Sequence, residues 1–163
     1  GEKLNLEDDE KSKFDSYRKK LVNNEINLLD ICIKEDLLLS TANIAPLSHW
    51  ITPNIESRRF DTRFFIAYLP EKQIVEHDGL ELTQSLWINP NKAVEMAFKG
   101  EMQMIMPTIK NLQSCSEFEV AKDMLDSQKR LTNKDIPPIL PKFFKENGNW
   151  VGLLPGDDGY EDH

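Results

Sequence analysis

Over residues 60–69 every second side chain changes character, and few patterns restrict a fold as tightly. Phe60, Phe64, Ile66 and Tyr68 fall on one side of an extended chain, and Asp61, Arg63, Phe65, Ala67 and Leu69 fall on the other. A period of two marks a strand, and Pro70 stops it because proline cannot donate to a ladder. The second side opens with Asp61 and Arg63 and then turns apolar. The strand is therefore expected to run from a polar rim into a sheet interior covered on both faces. A second strand signal lies upstream, near residues 47–52, and residues 53–59 form the loop between them. The rim and this loop are where functional groups are expected.

The flanking sequence supplies helices. Residues 7–20 are charge-rich, with Phe14, Tyr17 and Leu21 as a narrow apolar stripe, which predicts one exposed amphipathic helix. Its acidic start, residues 7–10, complements the positive end of the helix dipole. Asn24 is predicted to cap a second, well-buried helix carrying Ile26, Leu28, Leu29, Cys32 and Ile33. After a polar loop at 71–79, Leu80, Leu82, Gln84 and Leu86 alternate with Glu81, Thr83, Ser85 and Trp87 and predict another strand over 80–87, ended by Asn89-Pro90. Pro90 suits a helix first turn, Ala93, Met96 and Ala97 face inward, and Gly100 stops the helix. Residues 101–106 read as a short extended segment, and Pro107-Thr108 opens a helix with Ile109 and Leu112 inward. Ser116 and Glu119 have capping-box spacing for a last helix over 117–131. Asn147-Gly148, between apolar runs at 136–144 and 150–154, predicts a hairpin, with Pro137, Pro138 and Pro141 confining the first run to an edge. Residues 156–163 are expected to be mobile.

Composition narrows the partners. The 163 residues, 39% hydrophobic and 29% charged, suit one globular domain. A formal net charge of -8 without a basic stripe argues against nucleic acid and anionic membrane surfaces. No apolar run approaches the roughly 18 residues of a membrane span, and the acidic start lacks the pattern of a signal peptide. Beginning at Gly1 without Met suggests processing, a tag remnant or a segment of something longer. Cys32 and Cys115, far apart and without a His cluster, predict two buried reduced thiols rather than a zinc site or a disulfide. There is no G-x-S-x-G, no Gly-rich phosphate loop and no CxxC pair.

Five anchors follow one another in order: Trp50-Ile51-Thr52-Pro53, then Arg59-Phe60-Asp61-Thr62-Arg63-Phe64-Phe65, then Glu81, then Trp87 with Pro90 and Ala93, then Pro107-Thr108 with Leu112. Together they resemble the C-terminal half of a Nudix hydrolase, of the branch that includes the peroxisomal and mitochondrial acyl-coenzyme A diphosphatases. The resemblance covers residues 26–112 and implies an α+β fold, a Nudix-like mixed sheet flanked by helices. That sheet is expected to be incomplete and to be followed by the C-terminal hairpin. The expected divisions are an exposed helix at 1–24, the Nudix-like core at 25–131, and the hairpin with its tail at 132–163. The resemblance also implies hydrolysis of a diphosphate joined to another moiety, with magnesium or manganese held by carboxylates. The defining box, G-x5-E-x7-R-E-U-x-E-E-x-G-U with U aliphatic, is missing from the sequence. Hard divalent cations need several carboxylates to neutralise the diphosphate and to generate a nucleophilic water.

Two readings follow. In the first, this chain is a non-catalytic binding or structural module. In the second, it is the C-terminal part of an active acyl-coenzyme A or nucleoside diphosphate hydrolase whose box lies on other residues, with Mg or Mn as cofactor. Either reading implies a protein partner or a missing N-terminal half. The expected location is intracellular, with mitochondrion, peroxisome and cytoplasm not separated. Glu81 is the candidate catalytic and metal-binding carboxylate, or else a solvent-facing strand residue. Trp50, Arg58, Arg59, Asp61 and Arg63 are the candidate substrate-binding residues. Guanidinium forks match phosphate oxygens, although Arg58 and Arg59 also suit a surface loop. Asp61 and Arg63 can instead pair with each other or with Arg58 or Arg59 and fix the loop. Trp50 equally suits the core, and His49 is expected to be half-buried on a strand, with no acid partner placed for it.

Overall fold

The computed structural model describes residues 8–69, 75, 77, 79 and 82–162. The chain divides into two compact units, Gly1–Thr41 and Ala42–His163. In the first, α1 (Asp8–Val22) and α2 (Leu28–Lys34) form a helical pair. Tyr17 and Ile31 are its buried residues. Asn24 does not cap α2 as expected: its φ of 57° places it in the left-handed region just past the end of α1, a conformation that Asn tolerates well. Asn27 is the cap, its Oδ1 accepting from the Asp30 N–H at 2.9 Å. Nor is α2 well buried, since Leu28, Leu29 and Ile33 are exposed. A polar contact joins the pair, with Glu35 accepting from Tyr17 Oη at 2.5 Å and from Lys13 Nζ at 2.6 Å. The Lys13 ammonium, then the Tyr17 hydroxyl, holds the Glu35 carboxyl below its ordinary value.

The second unit is built on β1 (Ile44–Ile51) and β2 (Asp61–Ala67), which pair antiparallel, with Trp50 opposite Thr62 and Ala45 opposite Ile66. Ala45 and Trp50 are both buried although they lie five positions apart, and an unbroken period of two would send them to opposite faces. A register shift between Pro46 and Ser48 resolves this: Leu47 is an extra residue, and the bulge returns Ala45 to the face that carries Trp50. A short strand β3 (Pro138–Ile139) adds to β1 in parallel, giving a mixed sheet in the order β2-β1-β3.

Helix α3 (Pro90–Phe98) starts at Pro90 and is ended by Gly100, at φ 75°, as the sequence predicts, and Asn89 caps it. It packs against α4 (Met106–Ser116), while α4 and α5 (Ala121–Gln128) lie against β1. The predicted capping box at Ser116 and Glu119 is not formed. Ser116 ends α4, with its hydroxyl donating to the Gln113 carbonyl at 2.6 Å, and α5 starts after Val120 without a side-chain cap. The strand predicted over 80–87 is also absent from the described part, residues 82–87, all of which are exposed. Alternation alone does not make a strand without a neighbour to pair and a face to bury. Residues 101–105 likewise form no strand.

The expected hairpin is present as β4 (Lys142–Glu146) and β5 (Asn149–Leu153), a separate two-stranded sheet. Asn147 and Gly148 turn it with φ of 51° and 84°, the two positive values of a type I′ turn. The tail is anchored rather than loose, because Tyr160 Oη donates to the Leu140 carbonyl at 2.8 Å and Lys142 Nζ donates to the Tyr160 carbonyl at 2.8 Å. The described residues therefore form a mixed α+β fold, with a three-stranded mixed sheet, a two-stranded hairpin sheet and five helices. None of those helices is long and apolar enough to cross a membrane.

Candidate functional site

The two faces of the β1–β2 ribbon separate the candidate residues. One face carries Ser48 and Trp50 and lies under α4. There Trp50 Nε1 donates to Ser48 Oγ at 3.1 Å, and Ser48 Oγ donates to Asn111 Oδ1 at 2.6 Å. This relay fixes the Asn111 amide by its oxygen. Its nitrogen Nδ2 is buried and has no partner, and the residue lies along a cleft of about 400 Å³. Trp50, Leu47, Ile139 and Leu154 supply apolar walls, and Lys110 and Glu117 place one charge of each sign on the lining. A buried donor without an acceptor is costly.

The other face carries a side-chain contact that the sequence did not place. His49 Nε2 lies 2.6 Å from Asp61 Oδ1, with the imidazole only 12% exposed and the carboxylate 64% exposed. Asp61 thus pairs with His49 rather than with Arg63, Arg58 or Arg59. His49 is half-buried on its strand, as predicted, and now has an acid partner. Ser48 precedes it and joins the Asn111 relay beneath α4, so no nucleophile completes a Ser-His-Asp arrangement there. Arg63 sits opposite His49 in the register and is exposed.

The loop between the strands is closed at its base by Thr52. Its N–H donates to the Phe60 carbonyl and its Oγ1 accepts from the Phe60 N–H, both at 2.9 Å. Its carbonyl accepts from Arg59 Nε at 2.9 Å, so Arg59 serves the loop with one nitrogen and turns the rest of its fork outward. Arg58 lies over the Phe60 ring, 5.1 Å from its centroid. Both arginines are exposed, and neither lines the cleft beneath α4.

Glu81 lies outside the described residues. Among the described residues, no three His, Cys, Asp or Glu side chains gather where they could hold a metal ion, so the groups present do not fit a divalent centre. Cys32 and Cys115 are free and half-buried rather than fully buried. Burial pushes the Cys115 thiol above its ordinary value, which makes it a poor nucleophile. Asn111 had no sequence signal, since it meets Ser48 across 63 residues and its helix reads only as an apolar stripe.

Comparison with known proteins gives one family. A family model described as the NUDT19 Nudix domain matches residues 3–114. The acyl-coenzyme A diphosphatase NUDT19 of Xenopus laevis is 26% identical over 164 residues, covering 96% of this chain and 42% of that protein. The Homo sapiens protein of the same name is 26% identical over 147 residues, covering 89% of this chain and 39% of its own length. The chain thus spans about two fifths of the curated relatives it matches. No solved structure matches it.

Proposed function

Because the chain belongs to the NUDT19 Nudix domain family, we propose that it binds an acyl-coenzyme A-type diphosphate ligand and does not hydrolyse it unaided. The observation that carries this reading is a family signature without the family's carboxylates. The sequence has the W-x-T-P and R-F-D-T-x-F-F segments and lacks the box. Among the described residues no cluster of acids takes its place. Without several carboxylates, neither charge neutralisation nor activation of a water has a source within those residues.

Binding has better support. The cleft under α4 offers the Asn111 amide, the Lys110 ammonium and an apolar wall around Trp50, a set that suits an oxygen-rich group carried on an apolar arm. Arg58, Arg59, Asp61 and Arg63 belong to the loop and the opposite face, where they act as exposed positioning groups. The test is to incubate this chain with magnesium and an acyl-coenzyme A, following both binding and product release. The expected result is a saturable titration without turnover. Turnover by the chain alone would overturn the non-catalytic part, and absence of any titration would overturn the binding part.

The length ratio favours a second reading. The acyl-coenzyme A diphosphatases that match are more than twice as long as this chain. In this reading, residues outside this chain supply the carboxylates and the Mg or Mn, and residues 42–163 shape one wall of the active site. A longer natural polypeptide whose magnesium-dependent turnover falls when Asn111 or Trp50 is replaced would favour it. A natural protein with the 18.9 kDa mass of this chain would exclude it.

A further inference from the structure

We propose that the outer edge of β2 pairs antiparallel with the same edge of a second copy of this chain, setting Asp61 of each copy opposite Arg63 of the other. The direction of the backbone groups follows from the ladder. Thr52 donates to the Phe60 carbonyl and Tyr68 donates to the Asn43 carbonyl, so the even-numbered residues of β2 turn their N–H and C=O groups toward β1. The odd-numbered residues Asp61, Arg63, Phe65 and Ala67 therefore point theirs away from it. β2 is last in the sheet order β2-β1-β3, and among the described residues no strand lies beyond it.

The same four residues are exposed, Phe65 at 59%. Edge strands are usually blunted by charged side chains, a proline or a bulge on the edge itself. β2 has no proline, the bulge of this sheet sits on β1 instead, and the charges of β2, Asp61 and Arg63, are of opposite sign.

The charges choose the occupant and the register. In a two-fold antiparallel pair each outward residue faces another outward residue, and the interface is isologous. Centring the pair on Arg63 opposes two guanidinium groups. Centring it on Phe64 sets Arg63 against Phe65 and Asp61 against Ala67, so the carboxylate faces no cation. Centring it on Thr62 gives two Asp61–Arg63 pairs, places Thr62 against Thr62, and brings Phe65 against Arg59. Opposite charges and Thr–Thr pairs are both favourable across strands, while like charges directly opposite are not. Asp61 is 64% exposed despite its contact with His49, so its carboxylate remains accessible to a second cation.

Sedimentation velocity over a concentration series tests the proposal. The full chain is expected to move from 18.9 kDa to twice that mass as concentration rises. Asp61→Arg alone and Arg63→Asp alone each set like charges opposite one another twice in the dimer and should weaken it by about tenfold or more. The double exchange D61R/R63D restores opposite charges and should recover the dimer. Circular dichroism of each variant confirms folding, and amide exchange provides a readout that needs no substitution, because the Arg63 and Asp61 N–H groups should become protected only in the dimer. A chain that stays monomeric at the highest concentration overturns the proposal. So does a dimer that ignores the single charge changes or leaves those amides unprotected.

Discussion

Ser48→Ala removes one oxygen atom and should cost more than Asn111→Leu, which removes an entire amide. The difference follows from who is left without a partner. Ser48 Oγ accepts from Trp50 Nε1 at 3.1 Å and donates to Asn111 Oδ1 at 2.6 Å, so its loss strands both groups at once. Trp50 is 4% exposed and the amide nitrogen of Asn111 is already buried without a partner. Each stranded buried group costs about 1–3 kcal/mol, and the half-burial of Ser48 favours the lower part of that range, giving about 2–4 kcal/mol for Ser48→Ala. Asn111→Leu forfeits one hydrogen bond, worth about 1 kcal/mol net, but removes the unpaired amide nitrogen, so the two effects nearly cancel and the change stays within about 1 kcal/mol. Urea unfolding followed by tryptophan emission measures both. Trp87 and Trp150 are 79% and 60% exposed, so the signal comes mainly from Trp50. An Asn111→Leu chain less stable than the Ser48→Ala chain would refute the relay as the organising contact of this face.

Two further outcomes test other parts of the molecule. Gly152→Ala should destabilise the hairpin by about 1–3 kcal/mol, because the added carbon would lie 2.6 Å from Phe143 Cε1. A cross-strand nuclear Overhauser map of β4–β5 with the wild-type ring position intact would contradict this. The Glu35 carboxyl has its folded value lowered from 4.5 by Lys13 and Tyr17. Its contribution to stability is therefore complete above the unfolded value and is lost as pH falls through the lowered folded one. Helicity followed by circular dichroism during acid titration should fall in that window, and Glu35→Gln should flatten the curve. An unchanged curve would remove Glu35 from the helical pair's stability.

What the sequence disclosed and what it hid differ in range. The two main strands were readable because alternation is local. So were the Asn89-Pro90 helix start, the Gly100 stop and the Asn147-Gly148 turn, each of which depends on a conformation that few residues adopt. The fold class followed from those elements and from the anchors of the family. The predicted strand over 80–87 failed because its pattern has no partner in the described residues, and pairing is not written in the strand itself. Covering of both sheet faces near residue 65 was expected as well, yet Phe65 is 59% exposed on the face that also carries His49 and Asp61. The site was the least legible part. Asn111 and Ser48 meet across 63 residues, and the hydrogen-bond contact of His49 with Asp61 depends on a register fixed by the hydrophobic pattern and the connecting loop.

The bulge at Leu47 also governs which changes of length this chain can absorb. Removing Leu47 would restore regular pairing and leave Ala45 opposite Ile66 on the face that carries Trp50, whereas a second deletion between Ala45 and Trp50 would turn Ala45 outward and break that alignment. An added residue in the loop at 53–59 meets no such rule, because Thr52 and Phe60 close its base independently of what lies between. Insertions and deletions in related chains should therefore collect between Pro53 and Ser57, whereas the segment from Ile44 to Trp50 should tolerate only the loss of its one extra residue at Leu47.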